Sequence, residues 1–289
     1  MIQELPDRKE VTMSSREKEL TAITSVQNPK IKQVIKLRRR PHRDELGLLL
    51  VEGYRELRRA LHNGWRPVRL FFCPEMFRGG NEPALVTECA RAGAELIRCT
   101  EKVFNKIAYR DRPEGLLALG PQIHLSLADL KLRGTPLLLV TQSIEKPGNL
   151  GTMLRSADAA GAHGVIVCDR TTDINNPNVV RASIGALFAL PVVEADSDET
   201  IQWLCSRGIR IISASPHASD PYYAVDMTGP TALVVGSEQY GLDRRWMDSA
   251  DYQVLIPMRG QCDSLNVAAA ATVLLFEAAR QRFCRGTGA

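Results

Sequence analysis

Along residues 137–277, short apolar runs alternate with longer segments of helical period. TPLLLVTQSI, HGVIVCD, IRIISAS and TALVVGSE are nearly continuous apolar runs of strand length, the pattern of strands buried on both faces of a parallel sheet. GNLGTMLRSADAAGA and ETIQWLCSRG carry helical spacing between them, and SIGALFALPVVEA reads as a helix running into a strand. This alternation predicts a doubly wound parallel sheet, in which ligand sites lie beyond the carboxyl ends of the strands. The stretch IPMRGQCDSLNVAAAATVLLFE, residues 256–277, departs from the pattern. Its polar turn, built on Pro257, Gly260, Ser264 and Asn266, leads into a helix with no polar face from Val267 to Phe276. Such a helix is expected to be buried nearly all round.

A smaller α/β domain is expected over about residues 45–120. LLLVEG is a strand, YRELRRALHNG a helix closed by Gly64, VRLFFCP a strand, EPALVTECARAGA a helix, and AELIRC and GLLALG strands. Ahead of it, Ile31, Val34, Ile35 and Leu37 recur at helical spacing, predicting a basic amphipathic helix that ends before Pro41. Residues 1–20 are polar and read as a flexible arm. Residues 121–136, with Pro121, Gly134 and Pro136, read as a linker carrying a short helix around LADL. The expected organisation is therefore an arm at 1–20, a first domain at 21–120, a linker at 121–136 and a second domain at 137–289.

Composition narrows the class. A chain of 289 residues with 44% hydrophobic and 24% charged content is globular and long enough for two cores. No apolar run approaches the roughly 18–20 residues that span a bilayer, and the N-terminus MIQELPDRKE lacks the apolar core of a secretory signal. The seven cysteines include no CxxC pair and no metal-ligand spacing, so reduced thiols, a cytoplasmic location and no bound metal are expected.

Charge changes the picture more. Residues 1–120 hold 23 Lys/Arg against 16 Asp/Glu, whereas residues 121–289 hold 14 against 17. Within residues 30–43, Lys30, Lys32, Lys36, Arg38, Arg39, Arg40 and Arg43 occur with no acidic residue before position 44. A polyanion gripped by the first part and processed by the second fits this imbalance, and a merely solvated basic face is the alternative.

Three strand-to-turn segments could carry chemistry. In KPGNLGTMLRSADAAGA the glycines Gly148, Gly151 and Gly161 do not match GxGxxG, which removes the main support for a nicotinamide-dependent oxidoreductase. Asn149 remains as an N-cap or a site residue. Arg155 remains as helix decoration, or as a guanidinium that needs an anion if buried. In LVVGSEQYGL, Gly236 permits close backbone approach, and Glu238 could accept hydrogen bonds, hold Arg155 or cap the next helix. In the third segment, Ser264 or Asn266 could cap the apolar helix. Together the three turns offer glycine and short polar groups, as in a site for a ligand with a flat ring and a polar tail.

NLGTMLRSADAAG, LVVGSEQYGL and IPMRGQCDSLNVAAAATVLLFE resemble, in order and spacing, the three motifs of the SpoU/TrmH branch of the SPOUT RNA methyltransferases, over roughly residues 137–280. SVQNPKIK and LLLVEGYRELRRAL are similar to the L30e-like RNA-binding domain found ahead of many members. The resemblance implies a C-terminal parallel α/β SPOUT domain with a deep trefoil knot, preceded by a smaller L30e-like α/β domain. It implies a homodimer through the C-terminal domain, and methyl transfer from S-adenosylmethionine to a ribose 2′-hydroxyl of rRNA, with 23S rRNA expected. A tRNA substrate and a non-catalytic ribosome-assembly factor are the alternatives. Resistance to a ribosome-targeting antibiotic is a further expectation.

By motif matching, Gly236, Ser237, Ile256, Met258 and Leu265 would hold the cofactor. Asn149, Arg155, Glu238, Ser264 and Asn266 would form the catalytic set. The family's proposal makes the arginine at position 155 a general base. A guanidinium stays protonated in proteins, so a clamp on phosphate and developing alkoxide is the better physical role. RNA selection would fall to Lys30, Lys32, Lys36, Arg38, Arg39 and Arg40, with Arg55, Arg58, Arg59, Arg110 and Arg112.

Overall fold

The computed structural model describes residue 20 and residues 22–286, with side chains as far as residue 284. The expected arm therefore lies, except for residue 20, outside the described residues. The chain divides into two compact units, one through Gln122 and one from Ile123.

In the first unit, helices α1 (Pro29–Lys36) and α2 (Arg40–Leu46) precede strand β1 (Leu48–Glu52) and helix α3 (Tyr54–His62). Strand β2 (Arg69–Phe72), helix α4 (Glu82–Arg91), strand β3 (Glu95–Arg98), helix α5 (Glu101–Ile107) and strand β4 (Leu116–Pro121) complete it. The sheet order is β1-β4-β2-β3, with β4 antiparallel to both neighbours and β2 parallel to β3. Ile31, Val34 and Leu37 of the basic segment close its core over Phe71, Phe104, Ile107 and Leu119.

The basic segment is two helices rather than one. Asn28 caps α1 through Lys30 N at 2.9 Å, and Pro41 sits in the first turn of α2, where its missing N–H costs nothing. Between them, the buried Arg43 guanidinium donates to the carbonyls of Leu37 and Arg38, both at 3.0 Å. The first helix ends before Pro41, as its spacing predicts, and a second starts there. Helix α5 was not anticipated because EKVFNKI supplies only two turns of apolar period.

The second unit opens with a 3-10 turn at Leu127–Asp129, closed by a Ser126–Asp129 capping box, and Leu127 and Leu130 enter its core. It continues through β5 (Leu137–Gln142), α6 (Pro147–Ala159), β6 (Gly164–Cys168), α7 (Pro177–Ala182), β7 (Val192–Ala195), α8 (Ser197–Ser206) and β8 (Arg210–Ala214). Then follow β9 (Asp220–Pro221), β10 (Thr231–Val235), α9 (Arg244–Asp248), β11 (Tyr252–Leu255) and α10 (Val267–Gly286). The sheet order is β7-β6-β5-β10-β8-β11-β9, and every pairing is parallel, as the apolar runs predict. β5 and β10 are buried at every position and lie side by side at the centre. At the amino end of this central pair, the Arg282 guanidinium of α10 donates to the carbonyls of Thr135, Pro136, Met227 and Gly229 at 2.7–3.0 Å.

Two expectations need correction. SIGALFAL forms a 3-10 turn at Ala186–Phe188 rather than an α-helix: Ile184 and Gly185 take positive φ values of 51° and 80°, and the α-helix lies earlier, where Asn176 caps PNVVRA. Helix α10 is not buried all round. Ala268, Ala271, Leu274, Leu275 and Ala278 face the core, while Ala269 and Phe276 are exposed on the other side. Phe276 and Phe283 keep 48% and 73% of their surface in solvent, which leaves an apolar stripe uncovered in a single chain.

Candidate functional site

Strand β10 ends at Val235, and Gly236 opens a tight turn. Ser237 and Gly241 exchange backbone hydrogen bonds at 3.1 and 3.0 Å, and Ser237 Oγ accepts from Tyr240 N at 3.0 Å. A Cβ on Gly236 would lie 2.2 Å from the carbonyl carbon and oxygen of Gly241, so the turn can close only on glycine.

The turn presents Glu238. Its Oε1 accepts from Asn149 Nδ2 at 2.8 Å and Asn266 Nδ2 at 2.6 Å, and its Oε2 pairs with Lys146 Nζ. Asn266 Nδ2 also reaches Asn149 Oδ1 at 3.2 Å. One carboxylate thus ties together the start of α6, the turn after β10 and the start of α10. The hydrogen bond from Lys146 is the main cause holding Glu238 below its ordinary carboxylate pKa, and the same bond raises Lys146. Asn266 is bifunctional: while its amide nitrogen holds Glu238, its Oδ1 accepts from Ala268 N at 3.0 Å and caps α10. Asn149 is not a cap. Lys146 occupies that position, and Asn149 lies inside the first turn.

Beside this cluster is a cleft of about 660 Å³, bordered by Gly236, Ser237, Ile256, Met258, Ser264 and Leu265. Val235, Val254 and Ala270 add apolar wall. Among the described residues, no backbone group from residue 256 to residue 265 enters a backbone–backbone hydrogen bond. Peptide groups left open beside an apolar slot suit a flat heteroaromatic ring with polar edges, the shape and chemistry of an adenosine. The residues present therefore fit an S-adenosylmethionine-sized ligand.

The structure brings Asn149, Glu238 and Asn266 together and places Ser264 on the cleft wall, exposed and without a hydrogen bond among the described residues. It does not bring Arg155 to them. At about 100° per residue, Arg155 lies roughly a third of a turn around α6 from Asn149. It is exposed and has no ion pair among the described residues, so neither a contact with Glu238 nor a buried guanidinium is present. Glu238 does not cap the next helix either; Asp243 does, through Trp246 N. Lys146 was missed, its only signal being its place just before Pro147 at the helix start.

Of the basic residues in the first unit, several serve the fold. Lys30 pairs with Glu95, Arg40 with Asp44 at 3.2 Å, and Arg110 with Glu56 at 2.6 Å and Glu114 at 3.1 Å. Arg38 donates to the carbonyls of Lys106 and Ala108 and lies 5.2 Å from the Tyr109 ring centre. Lys32, Lys36, Arg39, Arg55, Arg58 and Arg112 are exposed, with no side-chain partner among the described residues; Arg59 is exposed and partnered.

Comparison with known proteins gives a consistent result. Residues 136–276 match the SpoU rRNA Methylase family, and residues 28–118 match the MRM3-like substrate binding domain. A 23S rRNA (uridine(2479)-2′-O)-methyltransferase of Streptomyces viridochromogenes is 35% identical over 262 residues, covering 84% of this chain and 86% of that protein. A 23S rRNA (guanosine-2′-O-)-methyltransferase of Ralstonia nicotianae is 39% identical over 197 residues, covering 66% of this chain and 79% of that one. The crystal structure of an AdoMet-bound rRNA methyltransferase from Sinorhizobium meliloti superposes with a TM-score of 0.82 at 31% identity, covering 90% and 97% of the two chains.

Proposed function

The chain belongs to the SpoU rRNA methylase family, and from that premise we propose that it methylates a ribose 2′-hydroxyl of 23S rRNA with S-adenosylmethionine. The observation that carries the reading is the convergence of Asn149, Glu238 and Asn266 at the mouth of the cleft. The two relatives named above act on a uridine and on a guanosine, so the reading stops at the ribose.

S-adenosylmethionine supplies a methyl group already activated on a sulfonium. In our reading the backbone around Gly236, Ile256 and Leu265, with Ser237 and Met258, holds the adenosine, and the final segment is threaded as the family's trefoil knot. Glu238 gives three of its roughly four lone-pair sites to Lys146, Asn149 and Asn266, and the hydrogen bond from Lys146 holds it below its ordinary pKa, so it orders the pocket rather than taking the ribose proton. Arg155 clamps the phosphate beside the target ribose and stabilises the developing alkoxide, while the proton leaves to water. The exposed basic residues of the first unit steer folded RNA to the site.

A homodimer accounts for two features at once. It covers the Phe276 and Phe283 stripe of α10, and it gives Arg155 a site to serve. Arg155 stands on α6, the neighbour of α10 through the Ser156 Oγ–Thr272 Oγ1 contact at 2.7 Å, so a second copy packed on that face receives its guanidinium. Mixing inactive Arg155→Ala and Asn149→Ala variants should then restore activity. Light scattering should show a dimer that Phe276→Glu dissociates. Among the described residues no helix is long and apolar enough to cross a membrane, and we place the enzyme in the cytoplasm with its substrate. Protection against a ribosome-targeting antibiotic would show as a higher inhibitory concentration in cells that express the protein.

The deciding experiment uses tritiated S-adenosylmethionine with unmodified 23S rRNA, 16S rRNA and tRNA, followed by mapping of the labelled ribose. Label at one 2′-oxygen of 23S rRNA is expected. Label confined to tRNA would replace the substrate, and no label in any RNA would overturn the reading.

A further inference from the structure

The Glu238 turn is fixed in front by the central strand β10. Behind it, at Asp243, a second set of interactions holds it, built from residues that none of the three motifs supplies to the cleft. Gln142, the last residue of β5, is 4% exposed. Its Oε1 accepts from Asp243 N at 3.0 Å, and its Nε2 donates to Asp243 Oδ2 at 2.6 Å and Asp169 Oδ2 at 2.9 Å. Arg245 closes the group from the solvent side, donating to Asp243 at 2.6 Å, Asp169 at 2.8 Å and Asp198 at 3.1 Å. Underneath, buried Ser197 gives its N–H and hydroxyl to Asp169 and accepts from the Trp246 indole at 2.8 Å.

Two features mark this as more than surface ion pairing. Asp169 holds a positive φ of 48°, a left-handed conformation that is uncommon for residues with a side chain, though Asp adopts it more readily than most. Gln142 also has its amide oxygen and nitrogen both engaged, and an amide is the only group of its size that can accept from a backbone N–H while donating to two carboxylates. Both Asp169 and Asp243 are held below the ordinary carboxylate range despite the opposing effect of burial; hydrogen bonds from Gln142, Ser197 and Arg245 outweigh it.

We propose that Gln142 and Arg245 are positioning residues that latch Asp243 to the ends of β5 and β6, and thereby set the height of the Ser237–Glu238 turn over the cofactor cleft. The latch rests on the reading of that turn as the cofactor wall. Its range is short: Asp243 is five residues from Glu238 and directly follows Leu242, which borders the cleft. Releasing it frees one end of the turn while β10 stays in the sheet. Cofactor affinity should therefore fall well before the fold does.

The test is Gln142→Glu, which keeps the side chain's shape, removes the two donated hydrogen bonds and sets a third carboxylate against Asp169 and Asp243. With Asp198 also near, and Arg245 the one cation paired to these carboxylates among the described residues, the new carboxyl titrates above its ordinary range. In its protonated form it again donates one hydrogen bond. S-adenosylmethionine binding to the full-length protein, measured by calorimetry against wild type at each pH, should be at least tenfold weaker than wild type at pH 8 and recover most of that difference by pH 5.5. A general packing defect would not recover on acidification. Arg245→Ala, at a half-exposed position, should weaken binding severalfold with the melting temperature nearly unchanged, and Arg245→Lys should restore part of it. Wild-type affinity in both folded variants, or a loss in Gln142→Glu that is equal at pH 8 and 5.5, would overturn the latch. Failure of the wild-type protein to bind S-adenosylmethionine would count against the site reading instead. If Gln142→Glu does not fold, the two Arg245 variants decide alone.

Discussion

The two walls of the cleft are built differently. The turn from Gly236 to Asp243 is tied at several points: across itself by the paired Ser237–Gly241 backbone hydrogen bonds, to Lys146, Asn149 and Asn266 through Glu238, and to Gln142 through Asp243. The opposite wall, residues 256–265, has no such ties, and Leu265 stands 39% exposed. One wall is set before any ligand arrives; the other has open peptide groups and an unburied apolar side chain to satisfy. A rigid wall can place a reacting atom, and an adaptable wall gains its order from the ligand.

The strongest way to break the rigid wall is Glu238→Ala, which releases Asn149, Asn266 and Lys146 together. Methylation should fall by about 100-fold or more, the range seen when a preorganised polar group is removed. Single-turnover rates against 23S rRNA would measure it, and a loss below tenfold would show that the carboxylate is not the organiser. Gly236→Ala comes next. Its Cβ would meet backbone atoms that cannot swing aside, so both stability, by about 1–3 kcal/mol, and cofactor affinity should drop together. Thermal melting and calorimetry on the same samples test that coupling.

The adaptable wall should behave in the opposite way. Leu265→Ala should weaken S-adenosylmethionine by about tenfold, the worth of roughly 1.5 kcal/mol of apolar burial gained only on binding, and leave the melting temperature where it was. A fall in melting temperature of the unliganded protein would erase the distinction between the walls. The smallest effect concerns pH. Because the folded pKa of Glu238 is depressed, the stabilisation it gives its cluster is fully present above the ordinary glutamate value of about 4.3, and is lost only as pH falls through the lower folded value. The Glu238 cluster should then add nothing to the pH dependence of cofactor affinity from pH 8 to 5.5, so wild type and Glu238→Gln should follow parallel profiles there. An acid limb near pH 6 that disappears in Glu238→Gln would contradict this.

Much of this was legible in the chain because it was written in apolar runs. β5 and β10 read as strands since every position is buried, and a parallel sheet followed from such runs through β5, β6, β7, β8 and β10. The strands that were missed are short and lie at one end of the sheet, β9 at the edge and β11 beside it: DP, and YQVL with two exposed positions. Residue types identified Asn149, Glu238 and Asn266 as site candidates, but partners were another matter. Glu238 was offered Arg155 and in fact took Lys146, because helix phase decides which side chains face a neighbouring turn, and that phase was fixed by Pro147. The Gln142–Asp243 pairing spans 101 residues and is polar at both ends, so no periodicity could announce it. One residue of the basic segment shows the same limit. Arg43 reads as part of a phosphate-binding stripe by charge, yet it is buried and its guanidinium closes the end of α1.

Arg282 carries a consequence for how the protein is made. The carbonyl of Thr135, at the root of β5, receives its hydrogen bond from a side chain 147 residues further on, and that of Pro136, which Thr231 N already reaches, gains a second from the same guanidinium. At translation speeds of about 5–20 residues per second, the Thr135 carbonyl waits on the order of 7–30 s for that donor. Throughout that interval water must serve it, so the sheet's central strands can collapse early but cannot be fully sealed at that end. The last helix is thus the closing step of assembly on the nascent chain, and a polypeptide cut short before residue 282 would leave the ribosome with its oldest strand in this unit still open.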